Sequence, residues 1–378
     1  MRLLLLSILS ALSYGSNPVP AAPGNVLADA PLAHAPGPYA SDGRVVLRGT
    51  AVEIGACFDE GAYCYVEAGD LTGYVEGRLL AVPGGRMDEL EKLRWDRLRL
   101  RATLPREASM IAAWGDSLTS GAGIAAGETY TAQAEAAFGY TRDIENAGIG
   151  GQSSTAIAAR MNAVPTLLSL VADEIAAEGP TTVSARSVTP VTNQGPRSLA
   201  GSICGVDGML GAETADGGKT YAYRFTRARP GRAVPCPAAS LFRFTAPDAL
   251  RDRVQWIWAG TNGADPDRKV VADIAAMVAS LAHGRYLIGA LPSGAEHPEA
   301  RIANAGSVNR ALARTYGERF VDLVAALASG ADGSAGGAAD VAAGITPRSL
   351  RIDALHLNAR GNAIVAKAFH DATLQLGF

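Results

Sequence analysis

Two short stretches far apart in the chain carry residue types that could perform nucleophilic chemistry together. The apolar run Met110 to Trp114 leads directly into Gly115-Asp116-Ser117-Leu118, which places a serine on the turn where a strand gives way to a helix. Small neighbours leave its hydroxyl accessible. A serine hydroxyl at its ordinary pKa is a weak nucleophile, so it needs an adjacent base and a site for the oxyanion. Far downstream, Asp353-Ala354-Leu355-His356 is followed by Leu357-Asn358-Ala359-Arg360-Gly361-Asn362. Three residues apart on a helical turn, a carboxylate and an imidazole share a face. The carboxylate can then fix the ring tautomer and stabilise the imidazolium formed when Ser117 gives up its proton.

Two further stretches supply oxyanion donors. Asn146-Ala147-Gly148-Ile149-Gly150-Gly151 has glycines that let a backbone amide approach the reacting centre, and Gly260-Thr261-Asn262 offers a side-chain amide. The amides of Ser117 and Gly148 and the side chain of Asn262 are the three donors expected. Asp116 adjoins the nucleophile, but adjacent turn residues point apart, so its expected task is bracing the loop. His34, His283, His297 and His370 have no acid in a matching context and are given no role.

These blocks need elements to hold them. After Pro105, strand-like runs (Met110 to Trp114, Ile144, Val254 to Trp258, Tyr286 to Leu291, Phe320 to Leu323) alternate with helical periods. Val270, Ile274, Met277 and Leu281 keep one face apolar before Gly284, a candidate C-cap, and Ile364, Ala368 and Ala372 mark a final helix. Strands separated by helices predict a parallel sheet covered on both faces. Residues 181–252 break the rhythm with Thr, Val, Gly and Pro and with pieces such as Tyr221 to Phe225 and Leu241 to Phe244; they predict an inserted β subdomain beside the carboxyl edge of the sheet, where open α/β sheets bind ligands.

In their order, the four blocks resemble those of SGNH hydrolases, also called GDSL esterases or lipases. Ser117, Gly148, Asn262 and His356 fall on the four namesake positions, and Asp353 sits where the triad acid belongs. The resemblance covers residues 107–378 apart from the insertion and implies an α/β, flavodoxin-like three-layer αβα sandwich. It also implies acyl transfer through an acyl-enzyme, with no cofactor and no metal. One departure is that Gly263 follows Asn262, where the family commonly has Asp.

Ahead of this domain, residues 41–83 carry short β-branched and aromatic runs between Gly turns, the cadence of a small β barrel. With its Cys pair and closing Gly73-Tyr74-Val75, this stretch resembles bacterial Src-homology-three-like domains, which implies an address on a cell-wall polymer. Residues 84–106, with Leu90, Leu93, Trp95 and Leu98 among charges, predict a connecting helix. Met1-Arg2 followed by the apolar run Leu3 to Leu12 has signal-peptide length, too short to span a bilayer, so 1–23 is expected to be a leader and the Pro-rich 24–40 a linker.

Composition narrows the function classes. At 378 residues and 48% hydrophobic content the chain is long enough for two or three domains. A net charge of −3 and the absence of a long basic run argue against nucleic acid as a partner. In an exported protein, secreted or periplasmic, four cysteines make disulfides reasonable; neighbour pairing would join Cys57 to Cys64 and Cys204 to Cys236. The expected function is hydrolysis of a short acyl ester, such as O-acetyl, on a carbohydrate or wall polymer. A lipase, lysophospholipase or thioesterase with the same triad is the second reading, and a wall-binding protein without catalysis the third.

Overall fold

The computed structural model describes residues 22–26, 29–33, 41–58, 63–81, 110–139, 142–262 and 267–378, and these divide into two compact units, the second beginning at Met110. Residues 1–21 of the expected leader and the connecting segment 84–106 lie outside the described residues, while the leader's last two residues, Ala22 and Pro23, belong to a strand.

The first unit is a seven-stranded antiparallel sheet. Its order is Ser41–Val46, Ala30–Ala33, Leu71–Glu76, Tyr63–Ala68, Ala51–Phe58, Ala22–Val26 and Leu80–Ala81. Alternation drives it: Val52 and Ile54 are buried while Ala51 and Glu53 are exposed, so one face gathers Val46, Val66, Val75 and Leu80. The stretch read as a linker is different from expectation, since it supplies two of the strands. Ala30 and Leu32 bury on either side of an exposed Pro31, a period-two pattern hidden in the sequence by its prolines. Cys57 and Cys64 face each other in register, and Cys64 is disulfide-bonded.

The second unit is built on five parallel strands in the spatial order Phe320–Val321, Tyr286–Gly289, Val254–Trp258, Met110–Gly115 and Asp143–Gly148. Numbered along the chain, this order is 5-4-3-1-2. The sequence direction therefore reverses at the first strand, and such a reversal opens a crevice beyond the carboxyl ends of the strands. Both faces of the central strands are apolar. Ile111, Ala113, Trp256, Trp258 and Leu287 join a cluster with Tyr130 from the helix Tyr130–Ala137, its C-cap Phe138, and Val365 and Phe369 from the last helix. Ala112, Trp114, Ile257 and Ile288 join another with Ile157, Ile274, Met277 and Leu312. Strands buried on both sides read as unbroken apolar runs, which is why Met110 to Trp114 and Val254 to Trp258 stand out in the sequence. The helix Asp267–Ser280 ends earlier than the apolar period suggested, and Gly284 is not its cap.

The insertion is a closed antiparallel barrel ordered Thr166–Leu170, Pro180–Arg186, Ala222–Arg227, Val206–Glu213, Ser198–Ile203 and Ser240–Phe244, with the last strand pairing back to the first. It begins before residue 181, because Thr166–Leu170 is needed to close it. Leu168, Leu210, Phe225 and Phe242 fill the interior, and a Cys204–Cys236 disulfide fastens it. Among the described residues, the closed barrel lies in the insertion, and the first unit is an open order of seven strands.

Candidate active site

The first parallel strand delivers Ser117 to the crevice. Gly115 closes that strand because a Cβ there would strike Thr119 and the Trp258 carbonyl of the neighbouring strand. Ser117 opens a short helix, Ser117–Ser120, whose N-cap is Asp116; Asp116 Oδ1 accepts from the Leu118 amide at 3.0 Å. The Ser117 amide, at the first helical position, belongs to the set with no intrahelical acceptor.

Ser117 is 239 residues from His356 in sequence, yet its Oγ lies 3.0 Å from His356 Nε2. On the other side of the ring, Nδ1 lies 2.8 Å from Asp353 Oδ2. Asp353 and His356 share a face, but not on a helical turn. Their loop is closed by Arg351 pairing with Leu357 and by the Ile352 amide donating to the His356 carbonyl at 2.9 Å, and the last helix begins only at Ala359. Within that loop Asp353 Oδ1 accepts from the Leu355 and His356 amides, both at 2.7 Å. The carboxylate is thereby aimed by its own turn.

The remainder of the downstream block has structural tasks. Leu357 is in the core, Asn358 caps the last helix by accepting from Gly361, and the buried Asn362 accepts from the Tyr130 amide at 3.0 Å. The sequence reading passed over both asparagines, although an Asn directly before a helical period is a recognisable N-cap signal.

Asp116 and Asp353 are both carboxylates beside the reacting pair, in opposite environments. Asp116 is 1% exposed and its Oδ2 is buried with no hydrogen-bond partner. Burial pushes its carboxyl up to about 6, against the weaker pull of the Leu118 amide, the His356 ring and the Thr261 hydroxyl. For Asp353, burial also pulls upward, but the His356 ring and the Leu355 and His356 amides outweigh it and hold the carboxyl down at about 2.

The expected oxyanion donors fare unequally. Asn262 is half-buried, and its Nδ2 donates one proton to the Gln152 carbonyl at 3.2 Å, which leaves the second N–H of the amide. Gly148 does not fit its assignment. Its amide donates to Asn146 Oδ1 at 3.0 Å, and a Cβ on it would run into the backbone of Thr119 and Ser120. It is glycine because the second strand ends against the helix carrying Ser117.

Residues with no motif to mark them hold these loops in place. Arg160, 5% exposed, donates from Nε to Gln152 Oε1 at 2.7 Å and from Nη2 to the carbonyls of Ala147 and Gly115 at 2.8 and 3.4 Å. Burial lowers its pKa to about 9, which still leaves it a cation at neutral pH. The barrel reaches the same loop, since Gln152 Nε2 donates to the Pro190 carbonyl and Thr192 Oγ1 donates to the Gly150 carbonyl at 2.6 Å. On the opposite side Arg351 donates to the carbonyls of Thr346 (2.7 Å), Asp353 and Ala354 (both 3.1 Å) and pairs with the buried Asp340 at 3.2 Å.

The other histidines stay apart from the triad. His283 Nδ1 accepts from the Arg285 amide, His297 Nδ1 accepts from the Gly294 amide, and His370 packs 4.5 Å from Phe138. His34 lies outside the described residues. Among the described residues there is no group of three or more His, Cys, Asp or Glu side chains able to hold a metal ion, and no helix is long and apolar enough to cross a membrane.

Among solved structures, the chain is similar to a member of the lipolytic protein G-D-S-L family from Veillonella parvula DSM 2008. The two are 13% identical, with 69% of this chain and 96% of the other covered at a TM-score of 0.39. It is also similar to a carbohydrate acetylesterase from Sinorhizobium meliloti, 14% identical, with 71% and 99% covered at a TM-score of 0.34. No protein-family model and no curated protein matches the chain. At this distance the roles of the residues rest on the geometry of the site.

Proposed function

We propose that this chain is a serine esterase of the SGNH type, on a flavodoxin-like three-layer sandwich, with Ser117 as nucleophile, His356 as general base and Asp353 as the group that orients the ring. The observation that carries this reading is the unbroken line from Asp353 Oδ2 through both ring nitrogens of His356 to Ser117 Oγ, at 2.8 and 3.0 Å. Nδ1–H donates to the carboxylate, so Nε2 is the basic nitrogen facing the hydroxyl.

In the first stage His356 Nε2 takes the Ser117 proton as Oγ attacks the ester carbonyl, and then returns it to the departing alcohol. In the second, water attacks the acyl-enzyme with the same nitrogen as base, and the acid leaves. The oxyanion of each tetrahedral intermediate is received by the Ser117 amide and the free N–H of Asn262. Each such donor is worth on the order of a hundred- to a thousandfold in rate.

The substrate we propose is a short acyl ester, such as O-acetyl, on a carbohydrate outside the cytoplasm. Export is supported by the charged and apolar start Met1 to Leu12 and by the Cys204–Cys236 disulfide, which persists in oxidising compartments. A wall address for the first unit rests on its sequence resemblance. Hydrolysis of 4-nitrophenyl esters from acetyl to palmitoyl tests the reading. Rates that fall steeply with acyl length are expected; rates that rise with it would replace acetylesterase by lipase, and no hydrolysis of any ester would leave a binding protein.

A further inference from the structure

A cavity of about 240 Å³ opens beside Asn262, between the ends of the third and fourth parallel strands, and its floor of Val270, Leu291 and Val308 is apolar. Its polar side chains are cations, an imidazole, amides and hydroxyls. Arg301, Lys269, His297 and Asn304 line it, and among its described lining residues there is no carboxylate. On the adjoining helix, Asp273 is buried and accepts from Ser154 Oγ and Thr155 Oγ1 at 2.6 and 2.7 Å, so these two lining hydroxyls are spent on it.

The cavity is set up to donate. Arg301 Nη2 is anchored on the Thr261 carbonyl, the residue before Asn262, which holds the guanidinium at the cavity wall with the rest of its fork unspent. Burial, aided by the Arg301 charge, lowers the pKa of His297, and its Nδ1 accepts from the Gly294 amide at 3.1 Å; the ring is therefore neutral with its proton on Nε2. Lys269 is exposed at the rim, one turn before Asp273. Two cations, one imidazole N–H, the amides of Asn262 and Asn304 and the hydroxyls of Ser153 and Thr261 thus line a space smaller than a drug-sized site, above an apolar floor.

From this arrangement we infer that the cavity seats a carboxylate-bearing, sugar-sized portion of the ester, held by Arg301 and Lys269, so that the enzyme prefers acetylated uronic acids to acetylated neutral sugars. This deepens the esterase reading and rests on it. A planar carboxylate matches the guanidinium fork, and the sugar ring covers the apolar floor.

The test compares acetylated methyl glucuronoside with acetylated methyl glucoside, alongside 4-nitrophenyl acetate as a reporter of the acyl transfer itself. Wild-type kcat/KM should favour the uronate about ten- to a hundredfold, the worth of one or two charge-assisted hydrogen bonds, chiefly through KM. Because Arg301 also braces Thr261, Arg301→Gln is read by the ratio of the two sugars, which should fall toward one. Arg301→Lys should restore part of the ratio, and Lys269→Gln should lower it less. A wild-type ratio at or below one with 4-nitrophenyl acetate still cleaved, or a ratio unchanged in Arg301→Gln, would overturn the inference and leave the esterase standing. Failure to cleave any of the three esters would remove both.

Discussion

The turn that presents Ser117 and the turn that presents His356 each carry an aspartate, and the two aspartates are treated in opposite ways. Asp116 is sealed beneath the nucleophile with one oxygen unpartnered, and its carboxyl is pushed up; Asp353 stands at the surface, 52% exposed, gripped by two amides and an imidazole, and its carboxyl is pushed down. Residue type is the same, and proximity to the reacting pair is similar. Environment decides which one orients the base: a carboxylate must stay ionised to stabilise an imidazolium, and the turn that supplies donors keeps Asp353 ionised to the lowest pH and in contact with the ring.

The largest effect should come from cutting the link between the two turns. Ser117→Ala or His356→Ala should lower kcat/KM for 4-nitrophenyl acetate by about four orders of magnitude or more, with folding judged by circular dichroism unchanged. Asp353→Asn should cost about a thousandfold, since the amide favours the wrong ring tautomer, whereas Asp116→Asn should cost tenfold or less at neutral pH. Equal losses in the two asparagine variants would show the assignment of the aspartates to be wrong.

The same pair of variants differs in stability. The folded pKa of Asp116 lies near 6, above its ordinary 3.8, so its contribution to stability is fully present below pH 3.8 and is lost as pH rises through 6. That loss amounts to about 3 kcal/mol at full burial. Asp116→Asn should therefore gain stability relative to wild type between pH 4 and pH 7.5 in urea titrations. Asp353 has the opposite sign: its contribution is present above pH 3.8 and lost as pH falls toward 2. A difference for Asp116→Asn that shrinks toward neutral pH would break the comparison.

An effect smaller than the loss of any triad side chain concerns how the exposed turn is held. Arg351→Gln removes the guanidinium donors to the Asp353 and Ala354 carbonyls while leaving every triad side chain in place, and should lower kcat about ten- to a hundredfold with KM little changed. Arg351→Lys should recover only a fraction, because one ammonium cannot span three carbonyls and Asp340. Loss of stability with kcat intact would reduce Arg351 to a structural brace.

Much of this arrangement was legible in the chain because it is local. The strand Met110 to Trp114 shows as an apolar run, the nucleophile turn follows it at once, and Asp353 and His356 are three residues apart. The strands Ala222–Arg227 and Ser240–Phe244 show by alternation. The barrel closure did not show, because Thr166–Leu170 pairs with a strand about seventy residues away and carries no mark of its partner. Gly148 misled for a related reason: a glycine demanded by backbone crowding against Thr119 and Ser120 looks in sequence like one demanded by catalysis.

By itself, then, the sequence determined the parallel core, the reacting residue types and the turns that display them, since periodicity, capping and short spacings are written in neighbouring residues. Tertiary structure alone decided that Ser117 and His356 meet across 239 positions, that Asp116 is buried while Asp353 is not, and that Arg160 and Arg351 fasten the loops on either side. Desolvation and long-range hydrogen bonds depend on which distant segments pack together, and no local pattern encodes that.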